Sequence, residues 1–505
     1  MLEVLWGIGG MVVVLLLAWL LSVDRRRIRV RTVGLALVVQ VVFAVLVLYV
    51  PAGQRVLSTL TSGVQAVIDS SAAGIDFLFG AILPDEGSVF AFQVLPVIVF
   101  FASLTAVLYH VGVLQLVTRW IGGALARVLG TTGPESMNAA ANIFVGQTEA
   151  PLVIRPYIRR MTPSEIFAVM CGGLTTVAGS VLIGYSLLGA NLEYLIAASF
   201  MAAPAGLLMA KIIVPADALA DIGPTASPAR DGDGAGGAAP PAGSEEQPRR
   251  GAGTAADGRP ADGGGLGGRL AAAFRRGARR GATQDGMAEL TRRAREGGTA
   301  TGATAAGAAA GAATAGTAAG SPDEPDDAEA DEERPVNVID AASRGASDGL
   351  DLALNVGAML LAFVSLIALA NLVLGAVGGL FGYGDLSIEE ILGYVFSPLM
   401  AAVGVPLHEA VDAGSFLGQK VVLNEFVAFA DFAPQAEDYS DKTQAVVTFA
   451  LTGFANLGSL AILLGGLGGI APSQRGVIAR LGLRAVAAGT LGNLMSATIA
   501  GVLVG

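Results

Sequence analysis

Apolar runs recur along this 505-residue chain, most of them close to the length a bilayer demands. A hydrocarbon core of about 30 Å needs roughly 20 predominantly apolar residues per helix. Residues 4–23, 32–50, 91–114, 164–188, 192–214, 350–378, 444–470 and 478–504 meet that requirement, which predicts eight transmembrane helices. Residues 54–83, 115–131 and 388–403 mix apolar and polar positions and predict amphipathic helices at the membrane surface. Two further stretches are apolar but interrupted. Residues 136–160 are broken by Gly146, Pro151 and Pro156, and 408–433 by Gly414, Gly418, Asn424 and Glu425. Both predict re-entrant hairpins, because non-helical backbone at membrane depth survives only where it is buried in protein or lines a wet cavity.

The order of these segments points to an internal repeat. Glu149 precedes Ser180 by 31 positions, and Glu425 precedes Asn456 by 31. In each half a carboxylate-bearing hairpin is followed by a span with a small and polar midpoint, then by one more span. The midpoints are Thr175-Thr176-Val177-Ala178-Gly179-Ser180 and Gly453-Phe454-Ala455-Asn456-Leu457-Gly458-Ser459. Interrupted segments at matching places in two halves are a pointer to a transporter binding site.

The expected fold is an all-α polytopic membrane protein with about eight transmembrane helices and two re-entrant hairpins in an inverted repeat. Its divisions are N-terminal helices (1–53); an interfacial helix, a scaffold helix and a cytoplasmic interfacial helix (54–131); a first repeat (132–214); a linker (215–345); a scaffold helix with an interfacial helix (346–403); and a second repeat (404–505).

The basic residues set the expected orientation. Arg25, Arg26, Arg27, Arg29 and Arg31 follow the first span. Arg119, Arg127, Arg155, Arg159, Arg160, Lys211, Arg475, Arg480 and Arg484 border later ones. Eight alternating spans put all of these on the cytoplasmic side, with the N-terminus outside. The first hairpin then enters from the cytoplasm and the second from outside.

Composition agrees: 53% of residues are hydrophobic and 14% charged, the profile of a multi-pass protein of the cell (inner or plasma) membrane. The formal charge of −11 says little about partners, because much of the acid lies in the linker. Between 225 and 334 the large apolar residues are Leu266, Leu270, Phe274, Met287 and Leu290, too few to offset the entropy of ordering. That predicts a disordered cytoplasmic segment. Cys171 is the sole cysteine, which excludes an intrachain disulfide, and with only His110 and His408 a histidine-rich metal site is excluded too. The first run has its charge, Asp24-Arg25-Arg26-Arg27, behind it, so it is expected to be a retained span and not a signal peptide.

Candidate chemistry centres on the two acids. Charge at bilayer depth costs roughly 2.5–3.5 kcal/mol on insertion scales, so such residues usually face a cavity. Gly146-Gln147-Thr148-Glu149-Ala150-Pro151 offers an amide, a hydroxyl and a carboxylate to a solute stripped of water. The alternative is a structural cap with Glu149 paired to a buried cation. It is disfavoured because no apolar span carries a Lys or Arg at mid-helix. In Asn424-Glu425-Phe426 a carboxylate suits two hydroxyls such as a ribose diol, or a carried proton. Asn456 and Ser459 share one helix face, with Phe454 available as an apolar wall; small-residue packing is the alternative. Asn142 and Val145 beside Thr176 and Val177 could form an oxygen cage for Na⁺, although packing explains the same residues. No nucleophile–base–orienter set, phosphate loop or dinucleotide fingerprint is present, so neither an enzyme, an organic cofactor nor a nucleic-acid partner is expected.

The succession Asn138-Ala139-Ala140-Ala141-Asn142-Ile143-Phe144-Val145-Gly146-Gln147-Thr148-Glu149-Ala150-Pro151-Leu152, then Val422-Leu423-Asn424-Glu425-Phe426-Val427-Ala428, then Gly453-Phe454-Ala455-Asn456 resembles the concentrative nucleoside transporter family. The resemblance spans roughly 90–214 and 350–505. It implies a homotrimer in the lipid bilayer, a scaffold domain, and a transport domain that moves as an elevator. It also implies nucleoside uptake driven by Na⁺ or H⁺. Carried over by position, it implies that Gln147 and Thr148 contact the nucleobase with Glu149 near it. Glu425, Asn456 and Ser459 would hold the ribose, and Phe454 and Val181 line the pocket. Asn142, Val145, Thr176 and Val177 would bind Na⁺. Thr176 stands where the family more often has Ser, Thr452 where it often has Cys, and the linker is unusually long. A same-fold carrier of nucleobases or another polar solute is the alternative.

Overall fold

The apolar runs fold as helices in the computed structural model, which describes residues 2–84, 89–216, 218–219, 335–384 and 386–504. All of these belong to one unit, residues 1–231 with 330–505. The predicted disordered linker lies almost wholly outside the described residues. Among the described residues every regular element is helical.

The first half runs α1 (Leu2–Leu20), α2 (Val30–Ala44, continued by a π-turn to Tyr49), α3 (Pro51–Phe79), α4 (Leu95–Val111), α5 (Val113–Leu129), α6 (Gly133–Ala141), α7 (Pro163–Thr175), α8 (Gly179–Leu187) and α9 (Leu192–Ile213). The second runs α10 (Val338–Gly379), α11 (Ile388–Ala402), α12 (Ala410–Val422), α13 (Glu425–Phe432), α14 (Asp441–Leu451), α15 (Leu457–Ile470) and α16 (Arg475–Val504). Among the described residues six helical stretches are long and apolar enough to cross a membrane, and Val4–Leu20 and Leu457–Ile470 are shorter apolar helices. The three amphipathic segments are helical as expected: α3, α5 and α11. Helix α10 begins at Val338, ahead of its apolar run, because Asn337 caps it by accepting from Asp340 N.

Two predicted spans are each split into a pair of half-helices. Residues 164–188 form α7 and α8, with Thr176 and Ala178 in extended backbone between them. Residues 444–470 form α14 and α15, parted at Thr452–Asn456. The cause is local. Thr176 Oγ1 donates to Gly172 O (2.8 Å) and Thr452 Oγ1 to Thr448 O (2.7 Å). A hydroxyl bonded to the carbonyl four residues back competes with the helix ladder. Asn456 then starts α15 afresh, its side chain accepting from Ser459 N at 2.7 Å. A count of apolar residues is blind to all of this.

Helix α16 lies at the centre of the bundle and packs on α7, α9 and α14. Helix α10 packs instead along α4. Its buried positions there are Ala341, Gly345, Gly349 and Ala353, spaced by four. Small residues at that spacing let two helices approach closely. A Cβ on Gly349 would stand 2.6 Å from Ala102 Cβ and 2.8 Å from Val99 Cα. Gly349→Leu is therefore expected to force the pair apart at a cost of about 1–3 kcal/mol or more. The solubilised variant should melt lower, and an unchanged melting curve would refute this account of the packing. The outer face of α10, with Leu361, Leu366, Leu369 and Leu372, is exposed in the single chain.

Candidate functional site

The two interrupted stretches meet the two helix breaks. Helix α6 opens with a capping box between Thr132 and Glu135 and ends at Asn142, where the chain turns through 142–149 into a 3-10 segment, Ala150–Ile154. Asn142 is fully buried. Its Nδ2 donates to Asn138 O at 2.9 Å, whereas Asn142 Oδ1, Asn138 Oδ1 and Gln147 Oε1 are buried without a hydrogen-bond partner. The end of α7 lies against this turn: a Cβ on Gly172 would sit 3.5 Å from Asn142 Nδ2, and one on Gly173 2.8 Å from Gln147 Cβ. Gly179 N donates to Phe144 O (3.1 Å). Asn142, Val145, Thr176 and Val177 are thus all buried around the α7–α8 break.

This corner suits a hard monovalent cation. It gathers orphaned amide oxygens at the C-terminal end of a half-helix, where backbone carbonyls lack partners and the helix dipole is negative. Asn142 Oδ1, the Thr176 oxygens and nearby carbonyls are the donors that would hold it.

The polar trio at the first hairpin divides. Gln147 is buried, while Glu149 is exposed and accepts from Thr148 Oγ1 at 3.3 Å. Thr148 abuts α15, since a Cβ on Gly466 would stand 3.1 Å from Thr148 Cγ2.

The second acid is deeply held. Glu425 begins α13 under the cap of Asn424, whose Oδ1 accepts from Val427 N at 2.9 Å. Glu425 Oε2 accepts from Asn456 Nδ2 (2.9 Å) and Oε1 from Tyr185 OH (3.0 Å). The 31-residue interval read from the sequence is therefore a direct contact in this half. Ser459 is buried beside Asn456 through its amide. Phe454 is anchored by its N–H to Thr176 O at 3.1 Å, so the wall of one break hangs from the other.

Two residues escaped the sequence. Tyr185 lies one turn after Val181 on α8, fully buried, stacked on Phe429 at 4.3 Å with its hydroxyl on Glu425. A tyrosine inside an apolar span was the signal, since a buried phenol needs a partner. Lys420 is the other. It is fully buried in α12, donating to Ala450 O (2.6 Å) and Asn493 Oδ1 (2.8 Å). Lys420 lies in the interrupted stretch 408–433, outside the eight apolar spans, so the search of those spans for a buried cation did not reach it. Lys211, at the end of α9, is also buried and pairs with Glu135.

Models of known families match most of the chain. The Na⁺ dependent nucleoside transporter C-terminus covers residues 308–501, its N-terminus 9–82, and a nucleoside recognition ("Gate") domain 91–191. The uncharacterized transporter YutK of Bacillus subtilis is 44% identical over 99% of this chain and 100% of its own length. The nucleoside permease NupC of Helicobacter pylori is 40% identical, over 99% and 98%. Human solute carrier family 28 member 3 is 29% identical over 98% of the chain and 59% of its own length. Among solved structures, CNTnw in an inward-facing substrate-bound state is 44% identical, with a TM-score of 0.75 over 99% of this chain and 98% of that one. Matched along its whole length at this identity, the chain belongs to the Na⁺-dependent, concentrative nucleoside transporter family.

Proposed function

We propose that this cation-coupled nucleoside transporter grips the sugar of its substrate with Glu425, Asn456 and Ser459. The base lies against Gln147, Thr148 and Glu149, with Val181 and Phe454 as apolar walls. The observation that carries this reading is the bonding of Glu425. Its two carboxylate oxygens hold only neutral donors, Tyr185 OH and Asn456 Nδ2. Such a carboxylate keeps lone pairs for two more hydroxyls, and hydrogen bonds to a charged acceptor are among the strong ones. A free nucleobase has no diol to offer it.

Na⁺ is the coupling ion, bound at Asn142, Val145, Thr176 and Val177. Coupling follows from the bond between Phe454 N and Thr176 O. A cation that orders Thr176 also orders the wall of the nucleoside pocket, so the two ligands favour one another, as linkage requires.

The two sets of half-helices and their hairpins act as a transport domain, carried like an elevator past a scaffold built on α3, α4 and α10. An apolar cavity of about 580 Å³ lined by Val64, Phe101, Leu104, Leu182 and Phe200 lies between them and leaves room for sliding. The apolar outer face of α10 serves a homotrimer. The N-terminus lies outside, the first hairpin opens to the cytoplasm and the second to the exterior.

Uptake of uridine and adenosine into proteoliposomes, with Na⁺ and pH gradients imposed separately, tests the ion. Wild type is expected to respond to Na⁺, and Asn142→Ala to lose that response by at least tenfold in Na⁺ affinity, equivalent to about 1.4 kcal/mol. Uptake driven by external acid and indifferent to Na⁺ would assign the coupling to H⁺ instead.

A further inference from the structure

Lys420 has no part in the reading above, yet it is linked to both breaks, bonding beside one directly and reaching the other through Asn493. It stands in the last turn of α12, the arm leading to Asn424 and Glu425. Its Nζ donates to Ala450 O, next to the end of α14, and to Asn493 Oδ1. Asn493 on α16 in turn donates from Nδ2 to Thr175 O (2.8 Å) and to Thr452 O (2.6 Å). One ammonium and one amide thus serve the C-terminal ends of both α7 and α14. Those ends are the negative poles of their helices, where a cation is stabilising.

The halves match position by position around these ends. Thr176 and Thr452 follow Glu149 and Glu425 at the same interval. Each hydroxyl bonds the carbonyl four residues back. The difference lies in what faces the carbonyls. At the end of α7 are the orphaned Oδ1 atoms of Asn138 and Asn142. At the end of α14 is another amide oxygen, Asn493 Oδ1, but here it is satisfied by an ammonium.

We propose that Lys420 is the built-in cation of the second repeat, a covalently held counterpart of the Na⁺ bound in the first, so that one Na⁺ accompanies each nucleoside and not two. This rests on the assignment of Na⁺ to the Asn142–Thr176 corner. The ammonium cannot leave when the site changes sides, so it contributes no net charge to a cycle. It also keeps positive charge near the Glu425 carboxylate, on which it acts electrostatically. Truncating it would leave buried carbonyl oxygens with room for an ion.

The test counts Na⁺ in the full-length protein by two routes. Radiolabelled Na⁺ binding to purified protomers needs no transport, and charge per uridine is read in proteoliposomes. Wild type should bind one Na⁺ per protomer, with a Hill coefficient of about 1. Lys420→Ala should bind a second Na⁺, its Hill coefficient rising to about 2 and its charge per uridine about doubling. Lys420→Met fills the space without charge; it should keep one Na⁺ while uridine affinity falls at least tenfold. Two Na⁺ per wild-type protomer would overturn the proposal, as would a Lys420→Ala protein that still binds only one. If Lys420→Ala cannot be purified, the wild-type count and Lys420→Met decide. Persistence of Na⁺ stimulation in Asn142→Ala would instead remove the first site, a separate failure.

Discussion

Glu425→Gln is expected to lower uridine affinity by a factor of roughly 30–150 while leaving the protein folded. The carboxylate sits among neutral donors, so removing its charge strands no buried cation partner by hydrogen bond. A glutamine oxygen still accepts from Tyr185 or Asn456. What is lost is charge assistance in two bonds to a diol. Hydrogen bonds to charged groups contribute about 1.5–3 kcal/mol and neutral ones about 0.5–1.5, so two such exchanges amount to about 2–3 kcal/mol. The decisive comparison is between uridine and 2′,3′-dideoxyuridine. Wild type should discriminate strongly against the analogue, and the variant should bind both about equally. Equal discrimination in the two proteins would show that the sugar is held elsewhere and would favour a carrier of bases or other solutes.

Asn493→Asp is expected to damage stability and transport together, although it changes only one group at nearly constant shape. Asn493 Nδ2 is the donor to Thr175 O and Thr452 O. An ionised aspartate donates to neither, and each buried carbonyl left without its donor costs about 1–3 kcal/mol. The attraction of the new carboxylate for Lys420 offsets part of this. The two helix ends lose their common tie, and with it the registration of Thr176 against Phe454. Melting of the purified variant should shift down by several degrees, with uridine uptake reduced at least tenfold. Gly453→Ala tests the same contact from the opposite side, since its Cβ would stand 2.3 Å from Asn493 Oδ1 and 2.8 Å from Cγ. Near-wild-type melting and uptake in both variants would dissolve the idea that α16 pins the two breaks.

Part of this was open to inspection in the sequence. Length and apolarity located the helices because a bilayer demands about 20 apolar residues to span it, whatever the neighbours. The acids stood out because charge is costly there. The matched intervals from Glu149 to Ser180 and from Glu425 to Asn456 pointed to a repeat, since a duplicated architecture preserves spacing after residue identity has drifted. The division of 164–188 and 444–470 into half-helices was less legible. Their threonines and glycines were visible as polar midpoints, but a hydroxyl unwinds a helix only when something else satisfies the freed backbone groups.

That something is tertiary. Asn493 lies 41 residues from Thr452 and 318 from Thr175, so no local pattern reveals that it bonds both. Tyr185 and Glu425 are 240 positions apart, and only the packing of α8 on α13 turns an unremarked tyrosine into a hydrogen-bond partner of that acid. Lys420 is the same case: in sequence a lone cation among glycines, in the fold an ammonium bonded to the end of α14 and to Asn493. The chain by itself determined a helical membrane transporter with an acid in each of two interrupted apolar stretches, because apolar length, charge cost and repeat spacing are properties of the chain alone. Which groups satisfy one another at the centre was decided by the fold, because hydrogen-bond partners in a bundle come from segments that meet only after the helices have packed.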